Sequence, residues 1–147
     1  MKNRLRIYID MDGTICDYIT PYKMNLKNNP NQTFPQSQYG FFIKLQPIDN
    51  AIHAINVLKK YHDVWILTRP STKNLNSYSE KAYWVLENLG QDMLDKTIFS
   101  CDKSLLIGDI LIDDENNANQ DKFNGRWIQY GTDKYKNWVD IMNELII

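Results

Sequence analysis

The sequence predicts an α/β protein: a doubly wound parallel sheet with one small insertion after its first strand. Two observations carry the prediction. Short runs of strand-forming residues recur at Ile7–Ile9, Asp63–Leu67, Thr97–Phe99, Ile110–Ile112 and Gly125–Gly131, and segments of helical period lie between most of them. Strands that alternate with helices imply parallel βαβ units with right-handed connections and both faces covered.

The first strand runs Ile7-Tyr8-Ile9 straight into Asp10-Met11-Asp12-Gly13, two carboxylates one residue apart and then a glycine that breaks the strand. Taken alone, the acids are equally what begins a turn. Thr20 to Gly40 is crowded with Asn, Gln and Pro, yet Phe34 and Tyr39 lie in it and Tyr18, Phe41 and Phe42 at its edges. That composition predicts a partly helical cap over residues 18–42, or else an insertion whose aromatics simply dock on the core. Pro47 can open a helix that carries Ile48, Ile52, Ile55 and Leu58 and ends near His62. The strand 63–67 stops at Thr68-Arg69-Pro70. From Ser77 or Ser79 a helix presents Tyr78, Ala82, Val85, Leu86 and Leu89 and stops at Gly90. A short helical segment, Asp92–Asp95, precedes the third strand, and Trp138, Ile141, Met142 and Leu145 form the apolar face of a closing helix.

A chain of 147 residues reads as one domain, 1–147, with a core large enough to need no staples. The formal net charge of −1 supplies no electrostatic attraction to a nucleic acid polymer or an anionic membrane. No stretch approaches spanning length. Cys16 and Cys101 are too few and too far apart for a disulfide framework and suit a reducing, cytoplasmic compartment. Nothing in the composition fixes a monomer or a homodimer.

Three strands end in polar residues: Asp10 and Asp12, Thr68, and Asp113-Asp114. In a parallel sheet these ends share one edge, so the groups converge although they are far apart in sequence. Four carboxylates together repel one another, and a hard divalent cation with oxygen ligands relieves that repulsion; Mg²⁺ fits best, taking one carboxylate from each pair. Beside such a site, a threonine hydroxyl and a lysine suit phosphoryl transfer. Asp10 is then the nucleophile, and Asp12 protonates the departing alkoxide and later activates water. Thr68 holds the phosphate, and Lys103 stabilises charge on Asp10 and the transferring group. Singly, Lys103 reads as a solvated surface lysine and Thr68 as a strand-end cap. Asp109, at the start of its strand, reads as structural, and Asp114 as a residue that only orients Asp113.

Asp10-Met11-Asp12-Gly13-Thr14, Thr68, Lys103 and Gly108–Asp114 resemble, in order, the four signatures of the haloacid dehalogenase-like (HAD) phosphatases, whose sheet is Rossmann-like. A narrower similarity, to the 5′(3′)-deoxyribonucleotidases, rests on Ser79–Val85, Leu89-Gly90, Asp102-Lys103, Leu111–Asp114 and Trp127–Thr132. It implies Mg²⁺-dependent removal of phosphate from a small nucleoside monophosphate, with the metal on the Asp10 side chain, the Asp12 backbone carbonyl and Asp113. It also places Tyr18 against the base and gives Phe41 a similar part. Three features depart from the family: a shortened cap, Lys73 displaced by one position, and Arg69 where a small polar residue is common. Arg69 could contact phosphate or close the pocket. The alternatives are a HAD phosphatase of another small phosphomonoester and a silent phosphate- or nucleotide-binding module.

Overall fold

The structure, a computed structural model, describes residues 3–146. Its centre is a five-stranded sheet of β1 (Arg6–Ile9), β2 (Asp63–Thr68), β3 (Thr97–Phe99), β4 (Ile110–Asp113) and β5 (Arg126–Gln129). The spatial order is β3-β2-β1-β4-β5 and every pairing is parallel. The order reverses between β1 and β4, and the crevice beyond the carboxyl ends of strands at such a reversal is where ligands bind. The fold class is therefore the predicted one.

Alternation along β1 sends Ile7 and Ile9 to one face and Tyr8 to the other. The first face holds the main core, in which Ile7, Ile9, Val64, Ile66, Ile110 and Ile112 meet α2 (Ala51–Tyr61), α3 (Asn76–Leu89) and α5 (Trp138–Ile146). The second face holds a smaller cluster of Tyr8, Leu67, Leu111 and Phe123. Helices do not cover it as the βαβ pattern predicts. The links from β3 to β4 and from β4 to β5 carry only the 3₁₀ turns Lys103–Leu105 and Gln120–Lys122, too short to form a helical layer.

Two helices depart from their predicted form. The helix expected from Pro47 begins only at Ala51, after Asn50 in a left-handed conformation. Pro47 bridges to Cys16, and the Ile48 N–H donates to the Ile15 carbonyl at 2.8 Å, so tertiary pairing with the β1 exit loop overrides proline's preference for the first helical turn. On α3 the expected apolar face includes Tyr78 and Leu86, but both are exposed, and the buried stripe is Ser77, Glu80, Lys81, Trp84, Val85 and Leu89. The Trp84 indole N–H donates to the Leu45 carbonyl at 2.8 Å, which fixes the rotation of the helix.

Between β1 and α2 lie α1 (Ile19–Asn28), which buries no residue, and the 3₁₀ turn Pro35–Ser37. After Gly90, which has a positive φ, the chain forms the single-turn α4 (Gln91–Leu94). Asp109 has the structural part expected of it, its carboxylate accepting from the Arg6 N–H at 2.8 Å. No helix of the described residues is long and apolar enough to cross a membrane.

Gly125 shows how tightly β5 is led into the sheet: a Cβ there would lie 2.4 Å from the Asp109 carbonyl oxygen and 2.5 Å from that of Gly108. Backbone atoms cannot retreat cheaply. Gly125→Ala is expected to cost about 2 kcal/mol, lowering the melting temperature by roughly 4–8 °C in a thermal melt.

Candidate active site

The loop leaving β1 is wound tightly enough to aim two acids in different directions. The N–H groups of Thr14, Ile15 and Cys16 all approach the Met11 carbonyl at 2.9 to 3.1 Å, and the Trp138 indole of α5 donates to the Thr14 carbonyl at 2.8 Å. Gly13 has φ +80, and a Cβ on it would lie 2.2 Å from an Asp114 carboxylate oxygen. Only glycine lets Asp114 approach.

Within this frame Asp10 is buried, and its Oδ1 accepts from Lys103 Nζ at 2.7 Å. The same ammonium donates to Asp113 Oδ2 at 2.5 Å. Lys103 is fully buried, not the solvated lysine that it would be read as in isolation. Burial by itself would lower its pKa, but Asp10 and Asp113 outweigh burial and raise it, so it is a fixed cation. Asp10, Asp113 and Asp114 each offer a carboxylate oxygen within 4.8 Å of the others. Burial first, and then the charge of Asp10, pushes the pKa of Asp113 up to about 6 and that of Asp114 to about 8. Thr14 Oγ1 lies 3.3 Å from Asp10 Oδ2 and 3.4 Å from Asp114 Oδ1.

Asp12 faces elsewhere. Its Oδ2 pairs with Lys81 Nζ at 2.9 Å, while its Oδ1 is shielded and accepts no hydrogen bond among the described residues. Burial raises the Asp12 pKa against the opposing pull of Lys81. Lys81 also donates to Thr68 Oγ1 at 2.9 Å and to the Arg69 carbonyl at 2.6 Å, and its Nζ lies 4.9 Å from the centre of the Phe42 ring.

Four carboxylates thus face two ammonium groups, and all the acids except Asp12 crowd one point. An all-oxygen donor set with surplus negative charge fits a hard divalent cation. Asp10, Asp113 and Asp114 could hold it. Asp12 Oδ2 is engaged by Lys81, and the Asp12 side chain is not part of this cluster.

A cleft of about 410 Å³ opens beside Asp10 and Asp12. Tyr18 and Arg69 border it, as do Phe34, Phe42 and Lys73. Phe41 is not among the bordering residues; it packs edge-on against Tyr18 and Phe42, behind the wall. Arg69 Nη1 donates to the Asn117 carbonyl at 2.7 Å, linking the loops after β2 and β4.

Sequence reasoning assigned no role to Lys81 or Gln120. Gln120 is buried, donates to Asp113 Oδ2 at 3.0 Å and accepts from the Ala118 N–H, so it fixes the carboxylate that Lys103 grips. It sits in a run of Asn and Gln that reads only as loop. Lys81 did leave a signal, because it lies four residues after Ser77 and three before Trp84, on the stripe that α3 buries.

Buried acids and lysines thus meet at the reversal of a parallel α/β sheet, a fold shared with HAD-type hydrolases. Two solved structures share the fold: a HAD-hydrolase, YfnB of Bacillus subtilis bound to magnesium (TM-score 0.62, 14% identity, 99% of this chain and 100% of that one), and a haloacid dehalogenase-like hydrolase of Xanthomonas campestris (0.53, 10%, 88% and 83%). The family model for 5′ nucleotidase, deoxy (pyrimidine), cytosolic type C protein matches residues 30–143, and the chain belongs to this family. A Vibrio phage KVP40 protein assigned as a 5′(3′)-deoxyribonucleotidase is 32% identical over 142 residues, covering 95% of this chain and 83% of its own length. The human cytosolic-type 5′(3′)-deoxyribonucleotidase is 26% identical over 158 residues, covering 86% and 79%.

Removing the Lys81 ammonium leaves Asp12 without its cation. Lys81→Met is expected to lose about 2 kcal/mol in urea denaturation, and adding Asp12→Asn should restore part of that loss because no uncompensated anion is left.

Proposed function

We propose that the protein is a phosphomonoesterase acting on deoxyribonucleoside monophosphates. One observation carries the reading: Asp10, Asp12, Thr68, Lys103 and Asp113 meet at one sheet edge, beside a cleft large enough for a small organic phosphate. Membership of the 5′-nucleotidase family supports the substrate class.

Asp10 attacks phosphorus, forming an acyl phosphate as the bond to the leaving oxygen breaks. Lys103, locked between Asp10 and Asp113, keeps the nucleophile oriented and offsets charge in the transition state. Asp12, whose pKa burial raises against the pull of Lys81, delivers a proton to the departing alkoxide. It then takes a proton from the water that cleaves the acyl phosphate and frees inorganic phosphate. The Thr68 hydroxyl, oriented by Lys81, binds a phosphate oxygen, and Arg69 adds a contact from the cleft mouth. Asp10, the Asp12 carbonyl and Asp113, with Asp114 beside them, would hold Mg²⁺, which would supply positive charge offsetting the repulsion between an anionic phosphate and a carboxylate. Tyr18 borders the leaving group, and residues 18–42 act as the cap within a single domain. Phe41 contributes by supporting Tyr18. The free thiols Cys16 and Cys101 suit a cytoplasmic setting.

Phosphate release from a panel of nucleotides and sugar phosphates tests the reading. Turnover should be greatest on deoxynucleotides, vanish in EDTA and return with Mg²⁺; Asp10→Asn should lower it at least ~1000-fold. Mg²⁺ should also raise the melting temperature, and Asp113→Asn should remove that rise. Metal-independent turnover would overturn the mechanism. A preference for sugar phosphates would overturn the substrate class alone.

A further inference from the structure

Gln36 lies in the 3₁₀ turn Pro35–Ser37, half-buried, and borders the same cleft as Asp10 and Asp12. Its backbone is anchored, the carbonyl accepting from Asn74 Nδ2 at 3.0 Å in the loop before α3. Its side chain is not. The amide oxygen Oε1 is shielded from solvent and accepts no hydrogen bond among the described residues. A shielded carbonyl without a donor is a cost the free protein carries.

The contrast is with Gln120, whose amide engages Ala118 on one side and Asp113 and Asn117 on the other, as a structural glutamine does. Gln32 shares the unpaired oxygen of Gln36 but does not border the cleft, so no ligand there can relieve it. Two residues before Gln36, Phe34 borders the cleft with its side chain nearly half exposed, and Lys73 Nζ stands 5.9 Å from the centre of its ring. An available aromatic surface thus lies beside an unsatisfied planar amide.

We infer that Gln36 is a specificity-determining residue that reads the edge of a nucleobase by hydrogen bonds, with Phe34 offering the base an apolar surface. The inference rests on the phosphomonoesterase reading above. A glutamine amide presents a donor and an acceptor side by side in one plane, and nucleobase edges present the complementary pair. Sugar hydroxyls sit on tetrahedral carbons and offer no such planar pair. The last torsion of glutamine is soft, so the amide turns toward the cleft at little cost and exchanges an unpaired oxygen for a bonded one.

Steady-state kinetics on the four deoxynucleoside 5′-monophosphates and on deoxyribose 5-phosphate, which lacks the base, test it. Gln36→Met should raise KM about 5- to 10-fold for the preferred nucleotide, leave kcat within about two-fold, and leave deoxyribose 5-phosphate kinetics unchanged. Because the substitution removes an unpaired polar atom, the melting temperature should hold or rise. Gln36→Leu should give the same pattern. An unchanged KM for nucleotides would overturn the inference. So would an equal rise for deoxyribose 5-phosphate, or a lower melting temperature accompanied by loss on both substrates. If the unaltered protein hydrolyses no nucleotide, the proposed function falls with it, so the two failures are distinguishable.

Discussion

Four carboxylates held close together by a rigid sheet are the constraint to which the rest of the molecule answers. Asp10, Asp12, Asp113 and Asp114 are placed by backbone geometry: β1 and β4 are neighbours, and the ladder extends past β1, with the Asp10 N–H donating to the Ile112 carbonyl at 2.9 Å. The repulsion cannot be relieved by splaying the strands. It is met by two buried lysines brought from opposite directions, Lys103 from the turn that leads into β4 and Lys81 from the buried stripe of α3. The raised pKa values of Asp113 and Asp114 reflect burial first and the neighbouring charge of Asp10 second.

Each lysine has a distinct partner set, and this separates the site into two halves. Lys103 joins Asp10 to Asp113, and Gln120 holds Asp113 from the far side. Lys81 joins Asp12 to Thr68, a second group at the same sheet edge. The apolar core serves the same end. Trp84 fixes the rotation of α3 and with it the direction of Lys81, and Trp138 ties α5 to the loop that carries Asp12.

The sheet, its strand positions and the acids at its edge were legible because each rests on a local signal: β-formers in a row, an acid at the end, a glycine to turn. Lys103 and Thr68 became legible only as parts of an ordered set. What stayed hidden was long-range. No local pattern says that Pro47 pairs with Cys16 and so delays α2 to Ala51, or that the second sheet face is covered by turns and Phe123 rather than by helices. Gln120 gave no sign, since an amide in a polar loop looks the same whether it is solvated or wedged against a carboxylate. Lys81 is the instructive case. The apolar residues of α3 pointed to a face that includes Tyr78 and Leu86, whereas a charged residue in register with Trp84 marked the face that is buried, because a lysine enters a core only when anions wait for it there.

The segment after β1 obeys different rules from the acids, and its packing explains why. Its helix α1 buries no side chain, so its sequence is under little pressure from the core. It reaches the catalytic centre through a short chain of rings: Tyr22 stacks on Tyr18, Tyr18 on Phe42, and the Lys81 ammonium lies over Phe42. Asp10, Asp113 and Lys103, by contrast, are held by the sheet and by Gln120. Phe34, Gln36 and Lys73 border the cleft from segments other than those that carry Asp10, Lys103 and Asp113. The wall of the cleft and the acidic cluster are thereby built on separate parts of the chain, with the Phe42 ring between Tyr18 and Lys81 where they meet.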